Sequence, residues 1–131
     1  LSKKVKKIIG VELIEQAIED AIKNAAINHI EHAHFFAGDV IKICDDAFFE
    51  THGRPDVVIT DPPRAGMHEK LVNKLLEIAA PKIVYVSCNT ATQARDIALL
   101  SIKYRLEKIQ PVDMFPHTHH IESVALLILK N

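Results

Sequence analysis

Short apolar runs alternate along this chain with segments whose apolar residues recur every three or four positions, and the alternation fails only at the end. Ile8-Ile9-Gly10-Val11 reads as a strand, and Ile14, Ala17, Ile18, Ala21, Ile22 and Ala25 then share one face of a helix. His34-Phe35-Phe36-Ala37 reads as a second strand, followed by a segment of undecided character around Ile41 to Phe49. Asp56-Val57-Val58-Ile59-Thr60 reads as a short buried strand, and Leu71, Val72, Leu75, Leu76 and Ala79 mark a helix that stops before Pro81. The run Lys82 to Val86 is the next strand, and a helix through Ala94, Ile97 and Ala98 leads to another strand within Arg105 to Met114. Strands separated by helices imply parallel neighbours joined by crossovers. Ile121 to Leu129 closes the chain as a strand with no helix before it, and so short a connection implies an antiparallel pair. The expected fold is α/β, a mostly parallel sheet whose C-terminal strand runs backwards.

With 131 residues, 48% of them hydrophobic, the chain is long enough for one domain with an aliphatic core. Cys44 and Cys88 are too few for a disulfide scaffold, and no leader-like or membrane-spanning run occurs, which favours a reducing, cytoplasmic setting. The formal net charge of −1 lacks the basic excess that alone would hold a nucleic-acid backbone. Lys3, Lys4, Lys6 and Lys7 form the one local basic run and read as a solvated lead into the first strand.

Sites in open α/β sheets lie beyond the carboxyl ends of the parallel strands, where a reversed strand contributes its beginning. Glu12, Asp39, Asp61, Cys88 and Glu122 are therefore expected at one edge. Cys88 stands where a strand gives way to a helix. Thr90-Ala91-Thr92-Gln93 has capping-box spacing, so the helix is expected to start at Ala91 and to aim free N–H groups at the sulfur, favouring a thiolate. An inert apolar cysteine is the competing reading. Thr60-Asp61-Pro62-Pro63-Arg64-Ala65-Gly66 fixes its backbone with two prolines and permits an unusual turn with glycine. Asp61 is either a held functional acid or the cap of the following turn.

Asp61-Pro62-Pro63-Arg64-Ala65-Gly66, Tyr85-Val86-Ser87-Cys88-Asn89 and Phe115-Pro116-His117-Thr118-His119-His120-Ile121-Glu122 together resemble, in wording, order and spacing, the catalytic domain of RNA 5-methyluridine methyltransferases. The resemblance covers nearly the whole chain and is nearest to the bacterial 23S rRNA uracil-5 enzymes, with the tRNA enzymes close behind. It implies a Rossmann-like class I sheet, S-adenosylmethionine as cofactor and RNA as partner. Carbon 5 of uracil is a poor nucleophile until a thiolate adds to carbon 6, and Cys88 matches the family's nucleophile. Glu122 matches the base that removes the carbon 5 proton, and Asp61 the acid that holds uracil or cofactor. Glu12 stands where such folds bind the cofactor ribose, and Asp39 near the adenine, although a helix N-cap explains Asp39 equally well. Arg64 and Gln93 are weaker candidates for phosphate or loop contacts. The target uracil must be unpaired or flipped, and Tyr85, Phe115 and the histidines are candidates to line its route.

His117, His119, His120 and Glu122 also have the makings of a metal site, but no cysteine pair supports zinc and the family motif explains the segment, so no metal is expected. The family's first strand and glycine-rich loop have no counterpart among the four glycines. Residues 1–131 therefore read as a partial methyltransferase domain, the C-terminal piece of a longer enzyme and inactive by itself. Without the first strand, the strands at Val11 and Val58 are expected to pair directly or to leave edges through which copies self-associate. A catalytically silent RNA-binding module is the reading from another class, and cytosine methylation a less suited chemistry.

Overall fold

The computed structural model describes residues 2–114, 116–118 and 121–131, which form two compact units divided between His52 and Gly53. In the first, β1 (Ile8–Glu12) and β2 (Ala33–Ala37) lie parallel, in register from Ile8↔Ala33 to Glu12↔Ala37. Gly10 lets them pack closely, because a Cβ there would stand 2.7 Å from the Phe35 ring. Helix α1 (Glu15–Ile27) makes the crossover and buries Ile18 and Ala25, two turns apart. Its buried stripe is narrower than the sequence suggests, since Ile14 is the N-cap residue and both Ile14 and Ile22 are exposed. The undecided segment forms two short helices, α2 (Val40–Ile43) and α3 (Asp46–His52). Phe36, Phe48 and His52 pack edge to face or tilted, with ring centroids 4.6 to 5.2 Å apart.

The second unit runs β3 (Val57–Thr60), α4 (Glu69–Ile78), β4 (Lys82–Ser87), α5 (Thr90–Leu100), β5 (Tyr104–Val112) and β6 (Glu122–Leu129). Its sheet has the order β3-β4-β6-β5, with β3 parallel to β4 and β6 antiparallel to both neighbours. The reversed last strand is thus present, inserted between β4 and β5. Alternation along β4 and β6 turns Ile83, Tyr85, Ala125 and Leu127 to one face, where all four are fully buried. Burial of the larger aliphatic pair, Ile83 and Leu127, contributes about 2 kcal/mol each. Helix α4 is capped by His68, whose ring nitrogen accepts from the Lys70 amide, and ends at Ala79 in the left-handed conformation, φ 51°. Val72, Leu75 and Ile78 are its buried residues.

Two expectations are corrected. The strand β3 is not buried: Val57 and Ile59 are 45% and 52% exposed, because β3 is a sheet edge laddered to β4 alone. The described strands form two sheets, β1-β2 in the first unit and β3-β4-β6-β5 in the second. Helix α5 does not face inward through Ala94 and Ala98, which are exposed; Gln93, Asp96 and Leu100 are buried instead. Polar residues are tolerated there because the sheet supplies partners, the Gln93 amide donating to Tyr85 O and Ser123 O at 3.0 Å each. No helix among the described residues is long and apolar enough to cross a membrane.

Candidate active site

The β4–β6 ladder ends on the pair Ser87↔Ser123. In an antiparallel pair the residue after one partner stands opposite the residue before the other, so Cys88 and Glu122 are the next residues at the same edge. The β3–β4 ladder ends on Thr60↔Tyr85 and, being parallel, releases Asp61 at this edge too. Thiol, carboxylate and loop acid thus all stand at one sheet edge of the second unit. Cys88 is a free, partly buried thiol, Glu122 is half-buried and Asp61 exposed.

Both flanks of Cys88 are fixed by short bonds. The Asn89 amide donates to Ser87 Oγ, and that hydroxyl donates to Asn89 O, each at 3.1 Å. Asn89, not Thr90, is the N-cap of α5, its Oδ1 accepting from the amides of Ala91 and Thr92 at 3.0 and 3.4 Å. The expected capping box is therefore absent: the helix starts one residue earlier, and Gln93 points into the core. Two of the amides expected to face the sulfur are spent on the cap.

The acid loop is held against the same helix. Asn89 Nδ2 and Thr92 Oγ1 donate to Arg64 O at 3.2 and 3.3 Å, so one asparagine caps the helix after Cys88 and grips the loop after Asp61. Below them Asp96, fully buried, accepts from the Met67 amide and the Tyr85 hydroxyl at 2.7 Å each. Its other oxygen accepts from Arg95 Nε and Nη2 at 2.9 and 2.7 Å. Tyr85, expected beside the uracil route, is instead buried with its hydroxyl on Asp96. Burial first, and then the bond to the Asp96 carboxylate, push its phenol well above the usual value. Asp96 and Arg95 escaped the sequence reading, yet a signal existed: an acid three residues from Gln93 and four from Leu100, on the inward stripe of α5.

The remaining candidates fall as follows. Glu12 ends β1 exposed, with Oε1 accepting from the Ile14 amide at 3.0 Å. Asp39 follows β2 and is the N-cap of α2, accepting from the Ile41 amide at 2.9 Å. The Arg64 side chain is exposed, and its carbonyl makes the loop contacts. Phe115, His119 and His120 lie outside the described residues, while His117 is exposed with φ 73°. Among the described residues no three His, Cys, Asp or Glu side chains cluster as metal ligands do.

The sequence matches the tRNA (uracil-5-)-methyltransferase family over residues 1–130. It is 55% identical to an uncharacterized RNA methyltransferase of Bacteroides thetaiotaomicron over 99% of this chain and 29% of that protein. A second, from Porphyromonas gingivalis, is 58% identical over 93% of this chain and 27% of its own length. The chain thus spans under a third of these relatives. Among solved structures, the Pyrococcus abyssi tRNA (uracil-54, C5)-methyltransferase in complex with S-adenosyl-L-homocysteine superposes with TM-score 0.82 at 41% identity, over 98% of this chain and 30% of that one. The N-methyltransferase NodS of Bradyrhizobium japonicum, at 12% identity, shares the fold with TM-score 0.73 over 96% of this chain and 68% of its own. The chain therefore belongs to the tRNA (uracil-5-)-methyltransferase family.

Proposed function

We propose that this chain is the catalytic part of an enzyme that methylates carbon 5 of a uridine in RNA through a covalent Cys88 adduct. The observation that carries the reading is the end of the β4–β6 ladder at Ser87↔Ser123, which sets a thiol and a carboxylate at one sheet edge beside the Asp61 loop. Cys88 as thiolate forms a bond to carbon 6 of the uracil, and the electron pair of the 5,6 double bond moves to the ring as an enolate. S-adenosylmethionine, when bound, supplies the methyl group that carbon 5 takes. Glu122 then accepts the proton from carbon 5, the double bond re-forms, and the carbon 6 to sulfur bond breaks to return Cys88 as thiolate. Asp61, held by its loop, orients the uracil or the cofactor. Glu12 fits the cofactor ribose, since one carboxylate oxygen rests on the Ile14 amide and the residue stays exposed at its strand end; Asp39 borders the same edge of the first sheet.

In this reading the partner is RNA in the cytoplasm, where the thiols of Cys44 and Cys88 stay reduced. The wording of Asp113 to Thr118 leans to 23S rRNA, whereas the solved relative named above acts on tRNA. The test is to incubate the full-length parent protein with rRNA and tRNA transcripts containing 5-fluorouridine, whose fluorine cannot leave as a proton does. A denaturant-stable protein–RNA adduct is expected with one transcript, and its loss in Cys88→Ala. With ordinary uridine, Glu122→Gln is expected to accumulate adduct while turnover falls at least about a hundredfold. No adduct, or one surviving Cys88→Ala, overturns the mechanism and favours a silent RNA-binding module. The exposed edge strand β3 makes self-association of the isolated chain a further part of the reading, checked by sedimentation.

A further inference from the structure

We propose that the ion pair of half-exposed Arg95 with fully buried Asp96 is the positioning device that sets the Asp61–Gly66 loop against Cys88, an inference that rests on the uridine-5 reading above. Asp96 is fully buried, and a buried carboxylate is strongly disfavoured unless its oxygens are fully occupied. They are: Met67 N, Tyr85 Oη, Arg95 Nε and Arg95 Nη2 all donate to it within 2.9 Å. These donors come from three different elements. Met67 ends the acid loop, Tyr85 lies in the strand leading to Cys88, and Arg95 lies in the helix leaving it. One carboxylate therefore ties together the three segments on which the proposed nucleophile and acid depend.

Arg95 extends the tie along the loop, Nη2 also donating to Ala65 O at 3.1 Å and Met67 O at 3.3 Å. Between those residues Gly66 has φ +81°, and a Cβ there would come within 2.6 Å of Arg95 Nη2 and 2.7 Å of Asp96 Oδ2. The loop can close on the ion pair only because residue 66 lacks a side chain. Replacing a buried charge together with its partner by well-packed apolar residues is often neutral or stabilising, so stability alone does not call for a carboxylate at Asp96. What apolar packing does not supply is a directional hold on three loop groups, Met67 N, Met67 O and Ala65 O, at fixed angles. Arg95 and Asp96 reach no reacting atom themselves; they act through the loop.

The experiment uses the full-length parent, compared with Arg95→Lys, Asp96→Asn and Gly66→Ala. The Arg95 side chain is 52% exposed, so Arg95→Lys keeps charge and fold while losing the fork that spans two loop carbonyls and the carboxylate. Single-turnover methylation of the preferred RNA is expected to fall about a hundredfold in each variant, with KM for RNA within about threefold of wild type, because a displacement of about 1 Å suffices for such a loss. Amide exchange at Met67 is expected to accelerate while the amides of β4 and β6 keep their protection. Single-turnover rates within twofold of wild type in Arg95→Lys, or losses matched by equal loss of folded protein, overturn the positioning role. Should Asp96→Asn fail to fold, Arg95→Lys and Gly66→Ala decide. A wild-type parent that forms no 5-fluorouridine adduct brings down the reaction itself, whereas wild-type adduct with undiminished Arg95→Lys adduct brings down only the positioning role.

Discussion

In residues 1–52 the acids at the sheet edge bond locally: Glu12 takes an amide two residues on, and Asp39 does the same. In residues 53–131 the corresponding edge is held by long-range bonds, Asp96 reaching Met67 across 29 residues and Asn89 reaching Arg64 across 25. A local cap fixes the start of its own helix and little else, whereas a bond between distant segments fixes their separation. The burial differs in the same sense. The first unit buries Ile18, Ala25 and Cys44, while the second turns Ile83, Tyr85, Leu100, Ala125 and Leu127 entirely away from water. Covalent catalysis needs fixed distances, and the proposed covalent machinery lies in the unit built to keep them.

The largest test of that difference is a pair of truncations. Leu127→Ala removes a fully buried side chain from the middle of β6, between β4 and β5, and is expected to cost about 4 kcal/mol. Ile18→Ala, on a helix with exposed Ile14 and Ile22, is expected to cost about 2 kcal/mol, because the looser surroundings can collapse into the space. Urea unfolding measures both. Equal costs would mean that the two units are packed alike.

Much of this was legible beforehand, for reasons that sort by range. Alternation and the missing last crossover foretold the reversed strand, because a short connection leaves one geometry open. The edge position of Asp61, Cys88 and Glu122 followed from strand direction alone. Asn89 as cap was misread because Thr90 and Gln93 mimic a capping box, and only the tertiary demand of Tyr85 O and Ser123 O draws Gln93 inward. Asp96 shows in the sequence only through its spacing from Gln93 and Leu100, because a buried acid is unfavourable until Met67, Tyr85 and Arg95 surround it, and Met67 and Tyr85 are distant in the sequence. Val57 and Ile59 read as core because composition does not say which strand ends a sheet.

A smaller effect separates the units by pH. Both tyrosines of the chain, Tyr85 and Tyr104, lie in the second unit, and burial raises each phenol above its ordinary value of 10.0. A raised phenol stays neutral in the folded chain while the unfolded chain ionises, so unfolding releases a proton. The stabilisation is complete below pH 10 and lost as pH climbs toward the folded values, by up to about 1.4 kcal/mol per unit for each phenol. Thermal melts between pH 9 and 11.5 are expected to show falling stability confined to residues 53–131. Tyr85→Phe should lower stability at neutral pH, since Asp96 loses a donor, yet flatten the alkaline slope; an unchanged slope would mean that the phenol is not held by the fold.

The smallest effect sets one cap against the other. Asp39→Ala removes a cap from the single turn of α2 and is expected to cost about 0.5 kcal/mol, with faster amide exchange only from residue 40 to 43. Asn89→Ala removes a cap from the eleven-residue α5, costing about 1 kcal/mol, and also the donor that holds Arg64 O. Amide exchange should therefore quicken at two places far apart in sequence, the first turn of α5 and residues 64 to 67. Quickening confined to α5 would show that the asparagine is no more than a local cap, and that Thr92, Arg95 and Asp96 hold the loop without it.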